Sequence, residues 1–269
     1  MLELDILHHY GEELEKRLRL ATSPMAIKLL QKGEKITEGA KRPLPDFGHH
    51  LSACQGFSMS RRQGTTVAML KEDMWCPEPV IVLGFAEPPQ YLLEGHNRFP
   101  GSVATLEAGS TWAREFPRLR AGDYVGIVSA PLTSATFEPD VVVIYGDSAQ
   151  VTQLVLAAEF KDGRDLTCNI SGRAACVYAV VPVVQSRRFQ VALPCPGDRQ
   201  KAGAQDDEII FSAPKERMAE LMEGLSRRDE HMRGQPTAFT LRPEYPLPES
   251  YAKIAGMMGM NLEKKKIVS

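Results

Sequence analysis

Apolar residues at helical spacing open the chain. Leu4, Leu7, Leu14 and Leu18 recur with charges between them, which predicts an amphipathic first helix ending before Pro24. "PMAIKLL" (24–30) reads as a short apolar strand, and "KGEKITEGAKRPLPDFGHH" after it as a polar loop. "PVIVLGFA" (79–86) has the β-branched, unbroken character of a buried strand, and "PPQYLLEG" opens with prolines suited to a helix start. Residues 96–120 are poorly periodic and read as loop with about one helical turn. "DYVGIVSAPL" (123–132) is a strand candidate. The clearest unit is "PDVVVIYGDSAQVTQLVLAAEF": a strand at 141–145, Asp147 or Ser148 as N-cap, and a helix to about Phe160. "EIIFSAPKERMAELMEGLSRRDEH" repeats that design, with Ser212 as cap and Pro214 near the helix start.

Two stretches share an ordered set of short elements. Each gives Ala-Cys (53–54; 175–176), Ser-Arg-Arg (60–62; 186–188), Val-Ala (67–68; 191–192) and Cys-Pro (76–77; 195–196). A strand, a Pro-started helix and Glu-Gly (94–95; 223–224) follow in both. Such recurrence points to an internal duplication, while similar strand-turn-helix units also arise from design constraint alone. The expectation is an α/β (α+β) fold: one domain over 1–269, a mixed β-sheet with helices, and two pseudo-symmetric halves at 24–95 and 139–224. A Pro-rich, then Met-rich tail spans 234–269. Ligand sites favour the interface between such halves.

Composition narrows the class. The 269 residues are 43% hydrophobic and 25% charged, with a net charge of -2. This is a soluble globular profile with no pull toward nucleic acid. No run approaches the roughly 18 apolar residues of a membrane helix, and the charged N-terminus lacks a signal-peptide core. A cytoplasmic location follows as the expectation, and there the five cysteines (54, 76, 168, 176 and 195) are reduced thiols.

The cysteines are the main candidate chemistry. Folded about Gln185-Ser186, residues 176–195 form a hairpin with Val184 opposite Arg187. That register sets Cys176 opposite Cys195, with Cβ atoms roughly 4.5–5.5 Å apart. Gln-Ser is a poor hairpin turn, and Pro182 demands an edge or a bulge. A rougher hairpin, with Gly64 near its turn, relates Cys54 to Cys76. Cys54, Cys76, Cys176 and Cys195 then form a four-thiol set suited to an iron–sulfur cluster or tetrahedral zinc. No C-x2-C element supports this, and free cysteines are also common core residues. Cys168 lies outside the set and reads as structural or as a spare thiol.

"CPGDRQ" suggests a tight turn. Gly197 would supply unusual φ, Asp198 would bond the backbone, and Arg199 would project as an anion-binding fork; a solvated surface turn is the alternative. Arg61-Arg62 and Arg187-Arg188 sit at the proposed hairpin tips and read as exposed. His49-His50 reads as a polar loop pair, and "YGDSAQ" (145–150) as a helix start favouring anions without a nucleotide fingerprint. "MMGM" (257–260) could be a soft metal patch, but gap-filling methionine is commoner. There is no G-x-S-x-G, H-E-x-x-H or Walker loop.

At "PMAIKLL", "SAC", "MWCPEP", "PDVVVIYGDSAQ", "AAC" and "LPCPGDR … DEIIFSAPKERMAELMEGL" the chain resembles the domain-of-unknown-function 169 family, the archaeal conserved region (ArCR) family. The likeness covers about residues 10 to 230. It implies a single α/β domain in a prokaryote, often one with anaerobic metabolism, and no established activity. The positions it carries over, without roles, are Cys54, Cys76, Cys176, Cys195 and Gly197-Asp198-Arg199. Three functions are expected in order. The first is a cytosolic metal- or cofactor-binding protein using the four cysteines. The second is a non-catalytic module binding a small anionic molecule at Gly146–Ser148 and Arg199, with structural cysteines. The third is a thiol-dependent oxidoreductase acting through Cys195. No nucleic-acid or membrane partner is expected, and the sequence leaves open whether the protein is an enzyme.

Overall fold

Strands that are apolar on every side chain need cover on both faces. The computed structural model, which describes residues 2–232 and 249–260, meets that need with helices on each side of one sheet. The chain opens with α1 (Leu2–Leu18) and β1 (Met25–Gln31), followed by α2 (Pro43–Phe47), α3 (Ala53–Gln63) and β2 (Val67–Leu70). Next come α4 (Pro77–Val82), α5 (Gln90–Leu93), α6 (Leu106–Glu115), β3 (Tyr124–Pro131) and β4 (Val141–Gly146). After α7 (Ser148–Ala158) and α8 (Ala175–Ser186) lie β5 (Gln190–Ala192), α9 (Pro196–Ala202), β6 (Ile209–Pro214) and α10 (Met218–Met232). The chain divides into two units, Met1–Glu230 and His231–Ser269, and the second holds α11 (Glu249–Met257). Residues 233–248 and 261–269, which take in most of the expected tail, lie outside the described residues.

The expected α/β (α+β) class is what the chain adopts, but the sheet expected to be mixed is antiparallel throughout. The six strands run in the order β2-β3-β1-β4-β6-β5, with every pairing antiparallel. Met25, Ile27, Val141, Val143 and Tyr145 face one way, against Ala53 and Phe57 of α3, Val80 of α4 and Val177 of α8. Ala26, Leu30, Val142 and Ile144 face the other way, against α1, α7 and α10 through Leu14, Leu154 and Leu221. Alternation sends each strand's side chains into two cores, which is why the strands read as unbroken apolar runs.

One order of elements occurs twice. With α2, α5 and α6 left out of the first run and α7 out of the second, strand, helix begun by Ala-Cys, short strand, Cys-Pro helix and strand describe both β1-α3-β2-α4-β3 and β4-α8-β5-α9-β6. The corresponding strands sit at mirrored places in the sheet, with β1 and β4 adjacent at its centre. The β1–β4 register runs from Met25↔Val143 to Ile27↔Val141, so it turns about Ala26 and Val142.

Several local expectations are corrected. The hairpin proposed for 176–195 does not exist: Ala175–Ser186 is helix α8 with Pro182 inside it, and only Gln190–Ala192 is strand. The segment is apolar all round, and periodicity alone cannot tell a buried helix from a buried strand. Its 12 residues are long for a strand in this sheet and ordinary for a helix. The Cys54–Cys76 hairpin fails in the same way, because Cys54 lies in α3. "PVIVLGFA" is helix α4 and its C-terminal turn; Pro77 at the helix start was the better signal. Residues 106–115 form a ten-residue helix whose N-cap, Thr105, accepts from the Ala108 N–H. Ser212 is not a cap but a buried strand residue opposite Val143.

The Glu-Gly echo has two unrelated causes. Gly95 has φ +89° and abuts the backbone of α6 at Ser110 and Gly109. Gly224 lies inside α10, where an added Cβ would meet the Ala157 carbonyl oxygen of α7 at 2.2 Å. Alanine favours helix over glycine by about 1 kcal/mol, but overpacking against fixed backbone costs about 1–3 kcal/mol. Gly224→Ala is therefore expected to lower the thermal midpoint, and an unchanged or raised midpoint in a melting experiment would contradict this helix contact.

A candidate four-thiol cleft

Each of the two Ala-Cys elements begins a helix. "SACQ" is a capping box: Ser52 is the N-cap of α3, its hydroxyl accepts from the Gln55 N–H, and the Gln55 side chain accepts from the Ser52 N–H. Cys54 is thereby fixed in the first turn. Cys176 holds the same position in α8 after Ala174, a buried N-cap in the left-handed region at φ 49°. A non-glycine residue there is strained by about 1–3 kcal/mol. No side chain caps α8.

Each Cys-Pro element also begins a helix, with cysteine as the N-cap and proline at the first helical position. Cys195 Sγ accepts from the Asp198 N–H at 3.4 Å. Cys76 occupies the equivalent place before α4. Packing of α3 on α8 and α9, and of α4 on α8, crosses between the two runs of elements. It brings Cys54, Cys76, Cys176 and Cys195 to the walls of one cleft of about 350 Å³. Cys54 is buried and the other three are half-buried; all are free thiols.

The thiols share one electrostatic environment. Burial pushes Cys54 up to about 12, against the Ser52 hydroxyl 3.1 Å from its sulfur, and the charges of Asp198, Cys195 and Cys76 add to the rise. Burial likewise pushes Cys76 up to about 11, opposed by a bond from the Glu78 backbone. Cys176 is raised well above its ordinary value by burial and then by the other three cysteines. Among the described residues, no three His, Cys, Asp or Glu side chains are grouped closely enough to hold a single metal ion. The cleft's walls could instead hold a group large enough to span them.

Charged residues gather at the mouth. Arg98 pairs with Glu78 and lies over the Trp112 ring at 4.1 Å. Arg173 donates to the Ser102 carbonyl at 2.9 Å. Exposed Lys201 lies 5.5 Å over Trp75 and has no carboxylate partner among the described residues. Sequence reasoning missed all three cations; the cleft is assembled from distant segments, and only Lys201 sits near a motif that had been singled out.

The Gly-Asp-Arg element is placed differently from the expected anion-binding turn. Gly197 has ordinary helical backbone in the first turn of α9 and lines the cleft. Asp198 points inward, accepting from the Tyr145 hydroxyl at 2.9 Å. Arg199 turns away from the cleft to the Gln205 carbonyl and, at 3.5 Å, Asp206, because α9 ends at Gly203 and the chain folds back. Arg61 is not at an exposed tip. It is buried, bidentate to Glu208 at 2.6 and 3.0 Å, and its guanidinium lies 3.9 Å over the Tyr145 ring. Arg187 does stay exposed, beside Glu216. His49 and His50 are exposed, and Cys168 accepts from the Val191 N–H away from the cleft. At "YGDSAQ" the start of α7 is occupied by an Asp147–Gln150 capping box.

A six-stranded antiparallel sheet between two helical layers, with four thiols around one cleft, defines this class of protein. The chain belongs to the DUF169 family, described as "Uncharacterised ArCR", whose model matches residues 13–224. It is similar to Uncharacterized protein MJ0308 of Methanocaldococcus jannaschii, 25% identical over 235 residues that cover 86% of this chain and 97% of that protein. No solved structure matches it. No helix among the described residues is long and apolar enough to cross a membrane.

Asp198 gives the site a pH signature. Burial raises its carboxyl to about 6, outweighing the Tyr145 hydroxyl and the Arg61 charge. The folded protein therefore holds this proton more tightly than the unfolded chain does. The associated stability is present below the ordinary value of 3.8 and is lost as pH rises through about 6. The loss is about 3 kcal/mol at most. Asp198→Asn keeps an acceptor for Tyr145 and removes the ionisation, so the variant should lose less stability than the parent between pH 4 and 7. Parallel slopes in denaturant titrations across that range would show that Asp198 is not protonated as described.

Proposed function

We propose that the protein is a cytosolic iron–sulfur protein whose cluster is held by the thiolates of Cys54, Cys76, Cys176 and Cys195. The carrying observation is that two Ala-Cys and two Cys-Pro helix starts, far apart in sequence, present all four sulfurs to one cleft. Tetrahedral zinc, which four thiolates would hold at about 2.3 Å, is the alternative occupant of the same set. The same reading takes the two runs of elements as halves of a duplication, each supplying two ligands. When bound, the cluster would supply electron-transfer chemistry.

The chain's own residues prepare for such an anionic group. The α3 and α8 starts bring the positive ends of helix dipoles to the sulfurs, which favours thiolate over thiol. Ser52 donates to Cys54 once that sulfur is ionised, and the Asp198 N–H donates to Cys195. Bonds of this kind to ligating sulfur tune a cluster's potential. The aromatic and proline walls limit water at the floor.

Protein purified without oxygen should contain about four irons and four sulfides per chain. Cys176→Ala and Cys195→Ala should each lose most of that content and the visible absorption that goes with it. Because burial holds Cys54 near 12 and Cys76 near 11, ligation must displace protons, so reconstitution should weaken as pH falls from 8 to 6. Metal analysis finding no iron, with both variants unchanged in stability and spectrum, would sink the proposal and leave the cysteines as packing residues.

A further inference from the structure

The cleft's mouth differs in character from its floor. The buried lining residues, taken as the floor, are small, apolar or sulfur-bearing: Ser52, Ala53, Cys54, Pro79 and Ala174, with Cys176 half-buried beside them. The mouth carries three cations, Arg98, Arg173 and Lys201, against one carboxylate, Glu78. Glu78 is taken by Arg98. Arg173 gives one hydrogen bond to a backbone carbonyl and meets no carboxylate among the described residues. Lys201 meets only the face of Trp75. Arg98 Nε is buried without a hydrogen-bond partner. The chain as a whole carries a net charge of -2, so this local excess of positive charge runs against the protein's average.

We propose that the mouth of the cleft binds a small organic anion, its carboxylate or phosphate group held between Arg173 and Lys201, with the rest of the molecule directed at the thiol floor. The inference deepens the cluster reading, on which it rests for what the ligand meets inside, by naming the class of molecule that approaches. The chemistry fits the donors. Arg173 offers the planar fork that matches an oxyanion, and Lys201 a mobile point charge on a four-carbon stem. Trp75 and Trp112 position the cations from outside the oxyanion's own contacts. Both cations lie near the surface, so binding should weaken with added salt. Any metabolite reduced or oxidised at a cluster beneath would be oriented by its charged end at this rim.

The test is calorimetric titration of the purified protein, iron-loaded or iron-free, at low ionic strength with inorganic phosphate in one arm and succinate in the other. Glycerol serves as the uncharged control. Saturable binding of either anion, but not of glycerol, is expected. The preferred arm identifies the group as phosphate or carboxylate. Lys201→Met and Arg173→Met should each weaken binding about tenfold, while iron content and visible absorption stay unchanged. Lys201 is exposed, so its variant decides the matter even if the Arg173 variant fails to fold. No saturable binding in either arm, or affinity unchanged in Lys201→Met, overturns the inference. Failure of the cluster reading is seen separately, as iron-free protein at the start of the titration.

Discussion

Three residue pairs, Met25–Val143, Ala26–Val142 and Ile27–Val141, join β1 to β4 and so join the two three-stranded parts of the sheet. The site depends on this short ladder. α3, α4 and α8 cover one face of the sheet and meet over this seam, with α9 packed on α3, whereas α7, which follows β4 directly, covers the other face. α3 and α4 come from one side, α8 and α9 from the other. All six residues are fully buried, so a slip of one position would exchange the two cores and carry the cysteines to different heights. The four-thiol cleft is thus a consequence of sheet register before it is a matter of local motif.

A second link ties the seam together beneath the sulfurs. Arg61 of α3 reaches across to Glu208, just before β6, and stacks on Tyr145 of β4, which in turn donates to Asp198 of α9. Burial opposes the Glu208 charge, but the Arg61 guanidinium and the Gln205 N–H more than offset it and hold Glu208 below its ordinary value. Asp198 receives no such bidentate partner, so burial prevails there. Two carboxylates ten residues apart in sequence, Asp198 and Glu208, are therefore shifted in opposite directions by position alone. Removing one partner of a buried pair such as Arg61–Glu208 typically costs about 3–5 kcal/mol, because the other charge is left buried and uncompensated.

Strands and long helices were legible because their physics is local. β1, β3, β4 and β6 carry β-branched or apolar runs between turn residues, and α7 carries its capping box in plain sight. α8 was misread because its apolar, valine-rich surface satisfies strand and helix alike; only the tertiary demand for cover over the sheet decides. The cysteine set was found through the order of Ala-Cys and Cys-Pro, although the hairpins invoked to unite it were wrong. The overlooked signals were chemical: Pro after Cys marks a helix start, and Ser-Ala-Cys-Gln is a capping box. The rim cations left no local trace, since Arg98, Arg173 and Lys201 meet only through long-range folding.

Burial sets the state of three of the thiols. A sulfur held neutral does not repel its neighbours, so Cys54, Cys76 and Cys176 line one cleft without strain from like charge. Ionising them together is unfavourable unless positive charge arrives in the same step. Helix starts and rim cations lower that barrier only in part, since burial still dominates the thiols. Burial therefore disfavours a lone thiolate at Cys54, Cys76 or Cys176, the form most open to oxidation. On the proposed reading the two parts of the cleft work differently: the sulfurs exchange protons for the cluster, whereas Arg173 and Lys201 offer only hydrogen-bond donors to an anion.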